Sequence, residues 1–225
     1  MQHVIVAGST GLVGSELIRQ LKERSDVRVT ALVRRPCGLS RPPSVTEKTF
    51  DFGSESAYAE IGTEAMPCDI LLCAVGTTIR KAGSRAAFDA IDRGIPLRLA
   101  AALASNNPKA VFGFVSSIGA DRPRGFYLQT KAAVEAGIAA LGMPHVLARP
   151  SLLMGERSES RPMEEVMSHV LPSVFSLGDQ LGLKRVLNRF RPIAAAQVAH
   201  ALLHETLNRD VRGRVVIEGE DFYKP

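Results

Sequence analysis

The run Val4-Ile5-Val6-Ala7-Gly8-Ser9-Thr10-Gly11-Leu12-Val13-Gly14 decides how the rest of the chain is read. Four apolar, mostly β-branched residues predict a buried strand over 4–7. Glycines at 8, 11 and 14 then punctuate a turn, and a helical pattern follows over 15–24. Strand, glycine turn and helix in this order put backbone N–H groups and a helix N-terminus at one point, where a pyrophosphate binds. Gly8 suits the tight turn, Gly11 the approach of backbone to phosphate, and Gly14 the close packing of helix on strand. The spacing is G-x-x-G-x-x-G, which differs from the G-x-G-x-x-G of standard dehydrogenases. Its place between a strand and a helix makes it a candidate dinucleotide turn.

Outward from that turn, apolar strand patterns alternate with helical ones. Strands are expected at 28–33, 48–50, 70–74, 110–116 and 145–149, and helices at 54–60, 86–105 and 128–141. Continuous apolar strands separated by helices predict an α/β fold: a doubly wound, parallel Rossmann-type sheet over residues 1–150. Residues 151–225 are too few for a core of their own and read as a small C-terminal lid packed on the carboxyl edge of that sheet. Within them a helix is expected at 193–207 and a late strand at 214–218. Met163, Met167 and Leu171 repeat at helical spacing as packing residues of the lid or of a shared interface, which leaves room for a homodimer.

Composition narrows the partners. The chain has 225 residues, 45% of them hydrophobic and 23% charged, as in ordinary globular proteins. No apolar run approaches a membrane span, and the N-terminal strand leaves no place for a signal peptide. Cys37, Cys68 and Cys73 show no metal-ligand spacing and read as reduced thiols. Together these features predict a cytoplasmic protein. The formal charge of +5 is dispersed, and the basic clusters lack interleaved aromatics, so nucleic acid is not an expected partner. Several of the clusters follow predicted strands, where an anionic cofactor sits. His200 and His204 share a helix face without an acidic or cysteine third ligand, so no metal is expected.

The second strand ends in Arg34-Arg35, with Arg34 twenty residues past Gly14. An acidic residue there would hold the ribose 2′-hydroxyl of NAD(H); arginine suits the 2′-phosphate of NADP(H), which is therefore placed ahead of NAD(H). Asp51-Phe52 follow the third strand, where such folds approach the adenine. Val75-Gly76 end the fourth, and Gly76 lets the backbone run beside a cofactor.

The strand over 110–116 leads into Ser116-Ser117, and Tyr127-Leu128-Gln129-Thr130-Lys131 comes ten residues later. On a helix Tyr127 and Lys131 share a face. A phenol ionises near pH 10 in its reference state, so it needs a cation beside it to trade protons near neutrality. Ser117 can hold a substrate carbonyl oxygen, with Ser116 as a rival. The expected chemistry is proton transfer at the oxygen of a small carbonyl/alcohol substrate.

Gly8-x-x-Gly11-x-x-Gly14, the Ser116-Ser117 strand end and Tyr127-x-x-x-Lys131 together resemble the short-chain dehydrogenase/reductase superfamily in its extended or atypical branch. Gly76-Thr77-Thr78, Lys81-Ala82-Gly83, Ser116-Ser117-x-Gly119-Ala120-Asp121, Arg149-Pro150 and Glu159-Ser160-Arg161-Pro162 are similar to the Tat-interacting-protein-like oxidoreductases. The likeness covers most of residues 1–175. It implies cofactor contacts from Ser9, Thr10, Gly11, Leu12, Val13 and Gly14, from Arg34, Arg35, Val75 and Gly76, and from Leu153 and Arg161 in the loop after the core. It implies that Tyr127 and Lys131 are catalytic. The interval from Ser117 to Tyr127 is shorter than in the family's usual pattern, which makes the serine's role the weaker inheritance. The branch also holds regulators and partner binders, so a cofactor-responsive sensor is the second functional class. A nucleotide-sugar epimerase or dehydratase, which shares the fold with a larger substrate domain, is the third.

Overall fold

The structure is a computed structural model that describes residues 1–39, 44–154, 191–208 and 210–224. Its centre is a seven-stranded parallel sheet in the order β3-β2-β1-β4-β5-β6-β9. The strands are β1 (Gln2–Ala7), β2 (Val27–Val33), β3 (Val45–Thr49), β4 (Ile70–Cys73), β5 (Val111–Val115), β6 (His145–Arg149) and β9 (Arg214–Glu218). A separate two-stranded ladder joins β7 (Leu153–Met154) to β8 (Ile193–Ala194).

The inner strands β1, β4, β5 and β6 are apolar on both sides because helices cover both sides, whereas the edge strands β3 and β9 each bury a single residue. On one face Val4, Val6, Ile70, Leu72, Val146 and Ala148 pack against α1 (Leu12–Leu21) and α7 (Ala195–Asn208). On the other, Ile5, Ala7, Leu71, Cys73, Phe112, Phe114 and Leu147 meet α2 (Glu55–Ala59), α5 (Ile95–Asn106) and α6 (Gly125–Ala140). The doubly wound sheet expected from the sequence is thus the observed one. Burial pushes the Cys68 and Cys73 thiols up to about 12, which keeps them protonated and inert. All three cysteines are free. No helix among the described residues is long and apolar enough to cross a membrane.

Two departures matter. The single helix expected over 86–105 is broken into α4 (Arg85–Asp89), a π-helical turn over Ala90–Gly94, and α5. Pro96 has no N–H to give to a carbonyl one turn back, and its ring crowds that carbonyl, so the ladder widens just before it. Second, the sheet does not end at residue 150. β9 pairs with β6 in parallel, Arg149 opposite Glu218, and α7 packs on α1. Residues 195–218, expected in a lid, are part of the central layers. The amphipathic segment expected at 163–175 lies outside the described residues.

Candidate active site

The strand order reverses between β1 and β4, so the loops after these strands diverge and open a crevice at the carboxyl edge. Gly8 leaves β1 with φ 81°, a left-handed conformation that suits glycine alone. A Cβ there would sit 2.5 Å from the carbonyl carbon of Ala74, so the turn lies directly on the end of β4. A Cβ on Gly14 would sit 2.0 Å from the Gly8 oxygen, so α1 touches the turn backbone to backbone. The Gly11 N–H donates to the Gly8 oxygen at 2.9 Å and Gly11 caps α1, which has no side-chain cap and no acidic residue in its first turn.

Ser9 is buried at 1% exposure, and its Oγ has no hydrogen-bond partner among the described residues. An unsatisfied buried hydroxyl beside an uncapped helix start is what a bound phosphate would complete. Thr10 is exposed and Leu12 half-buried, while Val13 packs into the core and offers the crevice only its backbone. The residues present therefore fit a dinucleotide.

At the far end of the crevice the structure unites two separate sequence expectations. Arg34, Asp51 and Phe52 line one cavity of about 380 Å³ together with Thr49, Phe50 and Gly53. Asp51 accepts the Gly53 N–H at 2.8 Å, and the Phe52 carbonyl accepts from Arg98 Nη2 at 2.7 Å, which fixes the cavity floor. Arg35 is exposed beside it. Leu153, expected near the cofactor, is half-buried against the Leu12 side of the core. Arg161 lies outside the described residues.

The candidate pair sits where α6 crosses the end of β5. Tyr127 lies in the first turn of α6 and is 43% exposed; Lys131 is buried one turn on. Lys131 Nζ is 6.0 Å from the centre of the Tyr127 ring and 5.0 Å from that of Phe114. It also donates to the Val115 carbonyl at 3.5 Å. Tyr127 and Lys131 thus lie one turn apart on α6, on the face turned to the end of β5. Phe88 of α4 lies against the other side of Tyr127, ring centres 6.1 Å apart.

The two serines separate cleanly. The Ser116 Oγ donates to Glu135 Oε1 at 2.6 Å, inside the core. Ser117 is half-buried and its Oγ reaches only the neighbouring Ile118 carbonyl, at 3.4 Å. Ser116 is committed to structure, which leaves Ser117 as the candidate to meet a substrate.

Two acids escaped the sequence reading. Glu135 also accepts from Arg149, at 2.9 Å through Nε and 2.5 Å through Nη2, and so fastens α6 to β6. Asp92, 1% exposed in the π-helical turn, lies 3.6 Å from Lys131 Nζ and accepts the Thr77 N–H at 2.8 Å. It therefore ties the loop after β4 to Lys131. The available signal was polarity on apolar faces: Lys131 and Glu135 share a helix stripe with Val134 and Ile138, and Asp92 interrupts an apolar helix.

Desolvation raises the Asp92 carboxyl above its usual range, against the smaller pull of Lys131 and the Thr77 amide. The folded chain then holds this proton more tightly than the unfolded chain. The ionised group costs stability as pH rises from the ordinary carboxylate range through the raised value. Asp92→Asn keeps an oxygen for Thr77 without that cost. It also leaves the buried Lys131 ammonium without its counter-charge, so we expect the variant to melt below the parent at pH 7. Its turnover should fall about tenfold to a hundredfold, because the lysine loses its anchor. Unchanged turnover with a lower melting temperature would mark Asp92 as purely structural.

The sheet, the glycine turn at its switch point and the tyrosine–lysine face define a protein of the extended short-chain dehydrogenase/reductase type. The chain belongs to the NAD dependent epimerase/dehydratase family, which it matches over residues 4–181, and is thus an oxidoreductase-type enzyme. It is 33% identical over 224 residues to "Protein FMP52, mitochondrial" of Candida albicans, covering 96% of this chain and 94% of that one. It is 34% identical over 172 residues to "Protein fmp52, mitochondrial" of Aspergillus niger, covering 74% and 73%. Among solved structures, the Bordetella bronchiseptica enzyme WbmH in complex with NAD+ superposes with a TM-score of 0.70. The identity is 16%, over 97% of this chain and 75% of that one, a likeness of fold.

These relatives correct the expected cytoplasmic location, since the two proteins, matched over 96% and 74% of this chain, are named as mitochondrial. Free thiols, and the lack of a long apolar helix among the described residues, do not distinguish the two compartments, so composition carried no information on the point.

Proposed function

We propose that this protein is an NADP(H)-preferring reductase or dehydrogenase acting on a small carbonyl/alcohol pair. One observation carries the reading: Tyr127 and Lys131 meet at the end of β5 and are joined, through Asp92 and Thr77, to the loop that Gly8 touches. The turn from Gly8 to Gly14 would hold the pyrophosphate of the cofactor, Val75 and Gly76 would border it, and Lys131 would hold its ribose. The bound nicotinamide would supply or accept hydride at the substrate carbon. Tyr127 gives a proton to the substrate oxygen or takes one from it, Lys131 favours the anionic phenol by its charge, and Ser117 orients the oxygen. Arg34, in the cavity with Asp51 and Phe52, and Arg35 beside it would meet the 2′-phosphate that distinguishes NADP(H) from NAD(H).

Fluorescence titration with NADPH and NADH tests the cofactor assignment. NADPH should bind more tightly, and Arg34→Asp should weaken it by about tenfold to a hundredfold, the worth of one charge-assisted contact, with little effect on NADH. Equal affinities in the parent protein would remove the preference, and failure to bind either nucleotide would remove the whole reading. The family match favours a second reading, an epimerase or dehydratase in which the cofactor is returned to its starting state. Net oxidation of NADPH by a panel of aldehydes and ketones separates the two.

A further inference from the structure

The two loops that flank Tyr127 are unusually cationic. Residues 75–88, after β4, carry Arg80, Lys81 and Arg85 and no acid; residues 116–127, after β5, carry Arg122 and Arg124 against Asp121. Arg80, Arg85, Arg122 and Arg124 are all exposed, and none forms an ion pair among the described residues. Elsewhere Arg19 pairs with Glu16, Arg24 with Asp26, Arg98 with Glu55 and Arg212 with Asp210, while Arg28, Arg34 and Arg35, on and after β2, also form no ion pair among the described residues. Four guanidiniums without an ion pair thus lie on the two segments that flank Tyr127 in the fold, and Arg85 lines a cavity of about 420 Å³ with Asp89, Arg93 and Phe126 beside it.

Their placement is not that of loose surface charge. The Arg85 guanidinium lies 5.4 Å from the centre of the Phe126 ring, and Phe88 touches both Phe126 and Tyr127, at 5.7 and 6.1 Å between ring centres. A guanidinium packed on a ring keeps its N–H edge free for a bidentate anion. Arg124 occupies the N-cap position of the sixteen-residue α6, three residues before Tyr127, and the first turn of that helix has no acid to offset its positive end. Beside these charges Ile79 and Tyr127 expose apolar surface, 41% and 43%.

We infer that the substrate is a carbonyl compound with an apolar body and a carboxylate or phosphate, the anion gripped by Arg85 and Arg124 while the carbonyl faces Tyr127. This rests on the oxidoreductase reading above and names the substrate class for that site. A neutral carbonyl compound would leave the arginine mouth unused, whereas an anion is drawn in by the field and then held by it.

Three probes test the inference on the full-length protein with NADPH: 4-formylbenzoate, 4-formylphenyl phosphate and the neutral 4-methylbenzaldehyde. At low salt kcat/KM for one of the anions should exceed that for the neutral aldehyde by about tenfold or more, and the ratio should shrink as ionic strength rises. The larger of the two ratios says whether carboxylate or phosphate is preferred. In Arg85→Gln/Arg124→Gln the ratio should fall toward one, and Arg85→Lys should keep part of it. Calorimetric binding of 4-(hydroxymethyl)benzoate against 4-methylbenzyl alcohol, in the presence of NADP+, gives a readout without turnover. Equal efficiency for the anionic and neutral aldehydes overturns the inference and leaves the oxidoreductase reading intact. Anion binding that is lost in the double variant, with no aldehyde reduced, does the reverse. Neither binding nor reduction removes both.

Discussion

Tyr127→Phe is expected to lower kcat for carbonyl reduction by about a hundredfold to ten-thousandfold, the usual worth of a positioned acid or base. The variant isolates the chemistry because nothing in the fold depends on the hydroxyl. Tyr127 is 43% exposed, its ring packs on Phe88, and no described residue accepts from or donates to its oxygen. Phenylalanine keeps the ring contact, so the melting temperature should not move, and the affinity for NADPH should stay close to that of the parent. Lys131 is a poorer place to cut first, since its removal leaves Asp92 buried at 1% exposure without a counter-charge. Steady-state rates with the best aldehyde, beside a melting curve and a nucleotide titration, check all three expectations. Parent-like turnover by Tyr127→Phe would exclude the tyrosine as proton carrier.

What the sequence made legible was local. Gly8 and Gly14 announce a place where backbone meets backbone, and the structure gives each a contact that a methyl group would forbid. Tyr127 and Lys131 are read together because four residues on a helix are one turn, a relation fixed by the chain itself. Arg34 and Asp51-Phe52 were each placed by following the end of a strand, and parallel strands in adjacent order bring their ends into one cavity.

What stayed hidden was relational. Asp92 lies thirty-nine positions before Lys131, and its inward direction depends on a π-helical turn that the unbroken helix expected at 86–105 does not contain. The late strand at 214–218 was recognised as a strand. Nothing in its pattern said that β6 was its neighbour, so α7 and β9 were taken for a lid. The choice between Ser116 and Ser117 had the same cause. Adjacent residues on a strand end point opposite ways, and only the position of Glu135 on α6 shows which one faces inward.

Glu135 also sets the largest expected change in stability. Its carboxylate is held by Ser116 of the β5 end, by Arg149 of β6 and, at 3.5 Å, by Arg214 of β9; Arg149 in turn reaches Glu218 at 3.4 Å. Strands β5, β6 and β9 are thus cross-linked beneath the helix that carries Tyr127 and Lys131. The carboxylate beside Arg149 holds that guanidinium above its already high range. Truncation to Glu135→Ala strands the Arg149 charge in the core, at a cost of about 3–5 kcal/mol. In a chain of this length that lowers the melting temperature by roughly 6–20 °C. The pair should cost little when both ends are replaced by apolar groups, because each ion then avoids its desolvation. Glu135→Leu/Arg149→Met should therefore melt well above Glu135→Ala, and a double-mutant cycle should show coupling of about 1 kcal/mol or more. Melting curves of Glu135→Ala, of Glu135→Leu and Arg149→Met singly, and of the double variant decide it. A melting temperature for Glu135→Ala within about 2 °C of the parent, or strict additivity of the two substitutions, would show that the network fills space without holding the sheet.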